Sequence, residues 1–210
     1  MTSVLDAFRA RAAEDLSGAD VFHVLNEGLL QDLLHGVDTD TVFAAMAAQL
    51  AVVERQGAQL IVMTCSSTSP GVDVARRSLG VPVLKIDDPM ARRAVGAGSV
   101  IGVLCTASST LAASTQLLQD HAAEQERPVT LRPVLVDGAY DALQSGDRDT
   151  HDRLVSTAAA ELAPAVDVLV LAQASLAHLQ QSLADAHGIP VLSSPPLLFD
   201  ELQSLVRARS

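Results

Sequence analysis

Short apolar runs rich in Val, Ile and Leu alternate along this chain with longer stretches whose apolar residues recur at helical spacing. Runs of the first kind predict buried strands, and stretches of the second kind predict helices. The predicted strands are Asp20–Leu25, Gln59–Thr64, Val81–Ile86, Ser99–Cys105, Val129–Leu135, Asp167–Ala172 and Pro190–Leu192. The predicted helices are Val4–Ala13, Thr41–Gln56, Pro70–Leu79, Pro89–Val95, Ser109–His121, Ala139–Gln144, His151–Leu162, Leu176–Ala186 and Leu197–Arg207. This alternation is typical of an α/β protein with parallel sheets flanked by helices.

An internal repeat organises these elements into two similar lobes. Gly57–Leu84 aligns without gaps to Ala165–Leu192 at a constant offset of 108. Both segments predict a strand, a loop, a helix and then Gly-x-Pro-Val-Leu. Duplication of one α/β half therefore predicts lobe one over residues 1–92 with 193–210, and lobe two over residues 93–192. Ligands of such sheets bind at the carboxyl ends of strands, so we expect a cleft between the lobes.

The offset also bears on the start of the chain. Met1 aligns to Ser109, so lobe one lacks a counterpart of the strand Ser99–Cys105. A sheet without that strand would keep an unpaired edge or a gap. We therefore expect either a lost strand or a native start upstream of Met1, and the second explanation is favoured.

Composition and charge argue against several classes of function. The formal net charge of −11 repels phosphate backbones and anionic lipids, which argues against nucleic-acid and membrane-surface binding. No apolar run is long enough to cross a bilayer, and no signal peptide is visible, which predicts a cytoplasmic protein. Two cysteines make no disulfide framework. The six histidines show no metal-ligand spacing, so no metal site is expected. The sequence does not decide the oligomeric state, and a homo-oligomer is one of the alternatives.

The segment Met63–Pro70 is the strongest candidate site. It follows an apolar strand and precedes a predicted helix capped by Ser69 and Pro70. Backbone N–H groups at a helix start hold carboxylates and lower the pKa of a nearby thiol. Cys65 is therefore the candidate catalytic thiol. The hydroxyls of Thr64, Ser66 and Ser67 are candidate substrate contacts, although a buried cysteine in a serine-rich turn would explain the same residues.

Two further loops follow strands at the same predicted edge. In the first, Thr106 and Ser108 are candidate anion contacts, and Ser108 would also serve as a helix cap. Cys105 should point to the opposite face and pack in the core. In the second loop, Gln173 and Ser175 are candidate substrate contacts. An amide orients a substrate by hydrogen bonding but has no useful proton affinity, so Gln173 does not replace a thiolate as base.

These motifs, in this order, resemble the aspartate/glutamate/hydantoin racemase superfamily. The resemblance rests on Thr64-Cys65-Ser66-Ser67, Ile101–Thr106, Val170–Gln173 and Pro190–Pro195, and it covers nearly the whole chain. It implies a cofactor-independent enzyme acting on a small carboxylate, typically with one thiol from each lobe on opposite faces of the substrate α-carbon. It also implies that Cys65 is the first-lobe thiol, and that Ser66, Ser67 and Thr106 hold the carboxylate.

The chain departs from this pattern where Gln173 stands in place of the second-lobe cysteine. An isomerase that transfers a proton at the carbon next to a carboxylate remains the leading hypothesis. Covalent addition of Cys65 to an unsaturated diacid is a variant of it. A single-thiol decarboxylase or lyase is the first alternative, and a carboxylate-binding protein without turnover is the second.

Overall fold

The structure is a computed structural model that describes residues 2–209, with side chains described for residues 5–208. The helices of the described chain are α1 Thr2–Asp15, α2 Gly28–Leu34, α3 Thr39–Arg55, α4 Gly71–Ala75, α5 Asp88–Ala97, α6 Ser108–Glu124, α7 Ala139–Gln144, α8 Arg148–Leu162, α9 Gln180–His187 and α10 Ser194–Arg209. The strands are β1 Ile61–Met63, β2 Val83–Lys85, β3 Val100–Cys105, β4 Thr130–Leu135, β5 Val168–Leu171 and β6 Val191–Ser193. Short 3₁₀ helices cover Ala163–Ala165 and Ala174–Leu179.

The chain divides into two compact units. The first is Met1–Ile86 with Phe199–Ser210, and the second is Asp87–Leu198. The second unit begins at Asp87, earlier than the predicted lobe boundary at residue 93. The reason is that α5 packs through Met90, Ala94 and Val95 into the core of the second unit.

The second unit contains a parallel sheet of four strands in the order β4-β3-β5-β6. Its two central strands, β3 and β5, are apolar almost throughout because helices cover both faces of the sheet. Ile101, Val103 and Cys105 face a core shared with α5 and α6. Leu104 faces a second core, which α7, α8 and α9 complete.

The first unit contains a parallel pair, β1 and β2, packed on α3 and α4. The pairing register repeats between the units. Ile61 pairs with Val83 in the first unit, and Leu169 pairs with Val191 in the second. Both pairs are related by the offset of 108, so the repeat seen in the sequence has the same strand register in both copies. The predicted α/β fold with one parallel sheet for each lobe is confirmed.

One predicted strand, Asp20–Leu25, is wrong. These residues form no regular structure, and the side chains of Val21, Phe22, Val24 and Leu25 are between 40% and 52% exposed. At the offset of 108 the segment corresponds to β4, whose partner is β3. Among the described residues, no strand pairs with this apolar segment. Apolar residues alone do not make a strand without a hydrogen-bonding neighbour.

The predicted helix boundaries need three corrections. Helix α2 was not predicted, and it follows a turn in which the Asn26 side chain accepts a hydrogen bond from Gly28 N at 3.0 Å. Helix α3 begins at Thr39, two residues before the predicted start at Thr41, because Asp38 caps it by accepting from Thr41 N at 3.1 Å. The predicted helix Pro70–Leu79 shrinks to the five residues of α4, without a side-chain cap. Within the described chain, no helix is both long and apolar enough to span a bilayer.

Candidate active site

The loop after β1 carries Cys65 as a free, half-buried thiol. A series of tight turns shapes this loop. Ser69 N donates to Ser66 O at 3.3 Å, and Gly71 N donates to Thr68 O at 3.0 Å. The Thr68 hydroxyl donates to the Cys65 carbonyl at 3.4 Å. Gly71 allows close packing here, since a Cβ at this position would lie 2.7 Å from the Phe43 ring.

The polar side chains of this loop differ in accessibility. Thr64 is exposed, and Ser66 and Ser67 are half-buried. Ser69 is only 4% exposed, and its hydroxyl has no hydrogen-bond partner among the described residues. Sequence reasoning treated Ser69 only as a helix cap. Helix α4 has only five residues, so the helix end expected to favour an anion carries a weaker dipole than a long helix would.

The loop after β5 carries Gln173, and its amide oxygen is held by neighbouring donors. Thr106 N and the Thr106 hydroxyl donate to Gln173 Oε1 at 2.6 and 2.8 Å. The contact follows from strand pairing, because Leu104 of β3 pairs with Leu171 of β5. Thr106 and Gln173 each lie two residues after this pair, so they lie side by side. The structure therefore joins two predicted site residues that are 67 positions apart.

Cys105 belongs to the same group. It is fully buried, as expected for a core residue, but its Sγ also lies 3.3 Å from Gln173 Oε1 and 3.1 Å from Ala107 O. Burial raises the pKa of the Cys105 thiol to about 11, which outweighs its hydrogen bonds. Cys105 is thus a neutral thiol near neutral pH. Strand alternation placed its side chain in the core, but alternation alone does not reveal a contact with a residue of another strand.

Two remaining candidates lie at element starts in the second unit. Ser108 is exposed at the first residue of α6, where Ala107 provides no side-chain cap. Ser175 lies in the 3₁₀ helix Ala174–Leu179, and its carbonyl is 2.9 Å from His178 Nδ1. Cys65, Ser66 and Ser67 belong to the first unit, whereas Cys105, Thr106 and Gln173 come together within the second.

Two acidic residues near the start of α8, Asp147 and Asp152, accept hydrogen bonds from their neighbours. Asp147 caps the helix by accepting from Thr150 N at 3.0 Å, and these hydrogen bonds lower its pKa. Burial acts to raise the pKa of Asp152, but hydrogen bonds from His151 and His178 outweigh it and lower the pKa. Among the residues that the structure describes, no cluster of His, Cys, Asp or Glu has a metal-binding arrangement.

Comparisons with known proteins agree with this architecture. The sequence model of the Asp/Glu/hydantoin racemase family matches residues 2–202. No curated protein matches the chain. A glutamate racemase from Bacillus anthracis superposes with a TM-score of 0.65 at 16% identity, and the match covers 83% of this chain and 68% of that one.

Two further solved structures share the fold. An allantoin racemase from Pseudomonas fluorescens has a TM-score of 0.64 at 17% identity, covering 99% of this chain and 87% of that one. A variant of arylmalonate decarboxylase has a TM-score of 0.55 at 20% identity, covering 82% of this chain and 78% of that one. At these identities the likeness concerns the fold and does not transfer an activity.

Proposed function

The chain belongs to the Asp/Glu/hydantoin racemase family, and on that premise we propose that it is a cofactor-independent isomerase with one acid–base thiol, Cys65. Its substrate is a small amino acid or dicarboxylic acid, and the proton moves at the carbon next to a carboxylate. The observation that carries the proposal is the contrast between the two cysteines. Cys65 is half-buried in a strand-end loop, whereas Cys105 is fully buried and its pKa of about 11 keeps it protonated.

The chemistry follows from a thiol beside hydroxyl donors. The Cys65 thiolate takes the α-proton, and the electron pair passes to the substrate carboxylate as an enediolate. Thr64, Ser66 and Ser67 donate hydrogen bonds to that carboxylate, and such preorganised donors favour the developing charge. Thr106, Ser108, Gln173 and Ser175 form the second group of proposed ligand contacts. Return of the proton from Cys65 regenerates the acid. Protonation by water on the other face inverts it, and the hydroxide that is left takes the proton from the Cys65 thiol and restores the thiolate.

A single-thiol decarboxylase or lyase is the second candidate, and Gln173 favours it. An amide is not a base, so the repeat supplies a proton-transfer group in one loop only. In this reaction a carboxylate leaves as carbon dioxide, and the electron pair stays on the α-carbon as an enediolate. The Cys65 thiol protonates that carbon, and the resulting thiolate takes a proton from water.

The test follows candidate amino and dicarboxylic acids in heavy water by proton NMR. Loss of the α-proton signal with appearance of the mirror form supports the isomerase. Carbon dioxide release supports the decarboxylase. Cys65→Ser should lower either rate by roughly 10²–10⁴-fold, because it removes the general acid–base group.

The matched control is Cys105→Ala, which removes the other thiol. Because Cys105 contacts Gln173 and not the Cys65 loop, this change should lower the exchange rate far less than Cys65→Ser does. Binding without any exchange or decarboxylation would contradict the proposal and favour a carboxylate-binding protein. Full activity in Cys65→Ser would show that the assigned thiol is wrong.

A further inference from the structure

The first unit contains a cavity of about 410 Å³, which is in the size range of small-molecule sites. We call this cavity the α1 groove. One wall is a single face of α1, where lining side chains recur at helical spacing: Arg9, Ala13 and Leu16. The other wall is formed by alternate residues of the irregular segment that follows: Ala19, Val21 and His23. The groove therefore lies between two neighbouring stretches of one unit, and the Cys65 loop contributes nothing to it.

The two ends of the α1 groove differ in chemistry. The backbone reverses at a turn in which Ala19 N donates to Leu16 O at 2.9 Å. Arg9 and His23 are the lining residues farthest from this turn on either side, so both lie at the same end of the groove. Leu16 lies about 10 Å from Arg9 along the helix axis, given the rise of an α-helix. The groove thus has nitrogen-bearing side chains at one end and mainly apolar ones at the other.

No acidic side chain neutralises the Arg9 end of the groove. Among the described residues, neither Arg9 nor His23 has an ion-pair or hydrogen-bond partner. Burial, and then the positive charge of Arg9, lower the pKa of His23, so the two side chains lie close enough to interact. Arg11, on the same helix, is instead paired with Asp15 at 2.7 Å and lies over the Phe199 ring. In a chain with a net charge of −11, Arg9 is thus left available for an anion.

The internal repeat shows that these two polar side chains replace apolar ones. At the offset of 108, Arg9 corresponds to Leu117 and His23 corresponds to Leu131. Both leucines pack in a hydrophobic core of the second unit. A merely incomplete core would keep apolar residues at these positions, because an unpaired charge beside apolar surface costs free energy. The arginine and the histidine therefore indicate a site for the polar group of a ligand.

We propose that the α1 groove is a second small-molecule site, which binds a carboxylate that carries an alkyl chain of medium length. The Arg9 guanidinium binds the carboxylate through two parallel hydrogen bonds, and His23 donates a third. The alkyl chain lies along Leu16 and Val21 and removes apolar surface from water, since Val21 is 40% exposed without it. This site belongs to the first unit alone and does not depend on the proposed function.

The experiment titrates the wild-type protein and follows its backbone amide signals by NMR. The probes are octanoate, octan-1-ol, which lacks the charge, and acetate, which lacks the chain. Octanoate should shift the signals of residues 9–23 at concentrations below micelle formation, and the other two probes should bind roughly tenfold more weakly. The same octanoate shifts are expected in Cys65→Ser, which separates this site from the proposed active site.

Two variants test the two ends of the groove. Arg9→Gln removes the charge at an exposed position, and it should weaken octanoate binding roughly tenfold and leave octan-1-ol unchanged. Ala13→Leu fills the groove from an exposed helix position, and it should weaken octanoate and octan-1-ol alike. Arg11→Gln is the matched control, because it removes an equal charge from the same helix, and it should change the octanoate affinity far less.

Equal binding of octanoate and octan-1-ol would overturn the proposal, and so would octanoate shifts that avoid residues 9–23. No octanoate binding, or equal losses in Arg9→Gln and Arg11→Gln, would also overturn it. Sedimentation tests the competing occupant, a second copy of this chain, and the proposal predicts that Ala13→Leu leaves the sedimentation coefficient unchanged. A wild-type dimer that Ala13→Leu dissociates would show that the groove is an interface between copies and not a small-molecule site.

Discussion

The loop after β1 and the loop after β5 occupy equivalent positions in the repeat, yet they differ in chemistry. Cys65 and Gln173 are separated by the same offset of 108 that relates the paired strands. The first loop carries a half-buried thiol beside several hydroxyls. The second carries an amide whose oxygen is occupied by Thr106. The comparison shows that the repeat fixes the position of a side chain in the fold, while the two copies carry different chemical groups at that position.

Gln173→Cys should have the largest effect, because it removes the chemical difference between the two loops. It places a thiol in the second loop, so the enediolate gains a proton donor that the wild-type loop lacks. We expect the rate of inversion to rise by roughly 10²-fold, the range of a general acid–base group. Optical rotation or chiral chromatography of the product measures the change.

Gln173→Ser is the control, because serine is similar in size to cysteine but lacks an acid–base group with a suitable pKa. An equal gain of inversion in Gln173→Ser, or none in Gln173→Cys, would show that the missing second thiol does not limit inversion.

The next largest effect concerns the Cys105 thiol, which should change the free energy of unfolding and not a reaction rate. Burial raises its pKa from 9.0 to about 11, so the native state holds the thiol proton more tightly than the unfolded chain does. This contribution is complete below pH 9 and is lost as the pH rises toward 11. A shift of this size corresponds to a stabilisation on the order of 2–3 kcal/mol.

Denaturant unfolding of wild type and Cys105→Ala across this pH range tests the shift. The stability difference between the two proteins should shrink as the pH rises, because only the wild type loses the thiol contribution. A constant difference would mean that the Cys105 thiol titrates normally and that its burial does not hold the proton.

The smallest predicted effect concerns the sheets. β4 pairs with β3, whereas the segment 20–25, which overlaps the counterpart of β4 at residues 22–27, leaves Phe22 50% exposed. Placing a second copy of residues 99–108 directly before Met1 would offer this segment a parallel partner in the register of the repeat. We expect the free energy of unfolding to rise by about 1–2 kcal/mol, since apolar burial outweighs the ordering of the added strand.

Hydrogen exchange would locate that gain, because the amides of residues 20–25 should become protected. A scrambled version of the added segment is the control. Equal stabilisation by the scrambled segment would contradict a role for strand pairing.

The local sequence predicted the strands of the second unit well, because the two central strands are continuous apolar runs. Val100–Cys105 and Val168–Leu171 are continuous apolar runs, which is what strands buried on both faces require. The same reasoning failed for residues 20–25, since apolar pattern does not report whether a hydrogen-bonding neighbour exists. It also missed α2, whose seven residues are too short to show a clear helical period.

The site residues stay predictions from the sequence, and the contacts among them could not be predicted. The position after each strand identified Cys65, Thr106 and Gln173 without any structure. The saturation of the Gln173 oxygen was not predictable, because Thr106 uses its backbone N–H as well as its side chain. Backbone donors leave no signature in a sequence, and the contact depends on the register between β3 and β5.

The most direct test of a single competent thiol is alkylation with iodoacetamide at neutral pH, followed by peptide mass spectrometry and the proton-exchange assay. The account predicts one adduct, on Cys65, with activity lost in proportion to labelling and with protection by bound substrate. Labelling of Cys105 in the native protein, or full labelling of Cys65 with proton exchange intact, would contradict it.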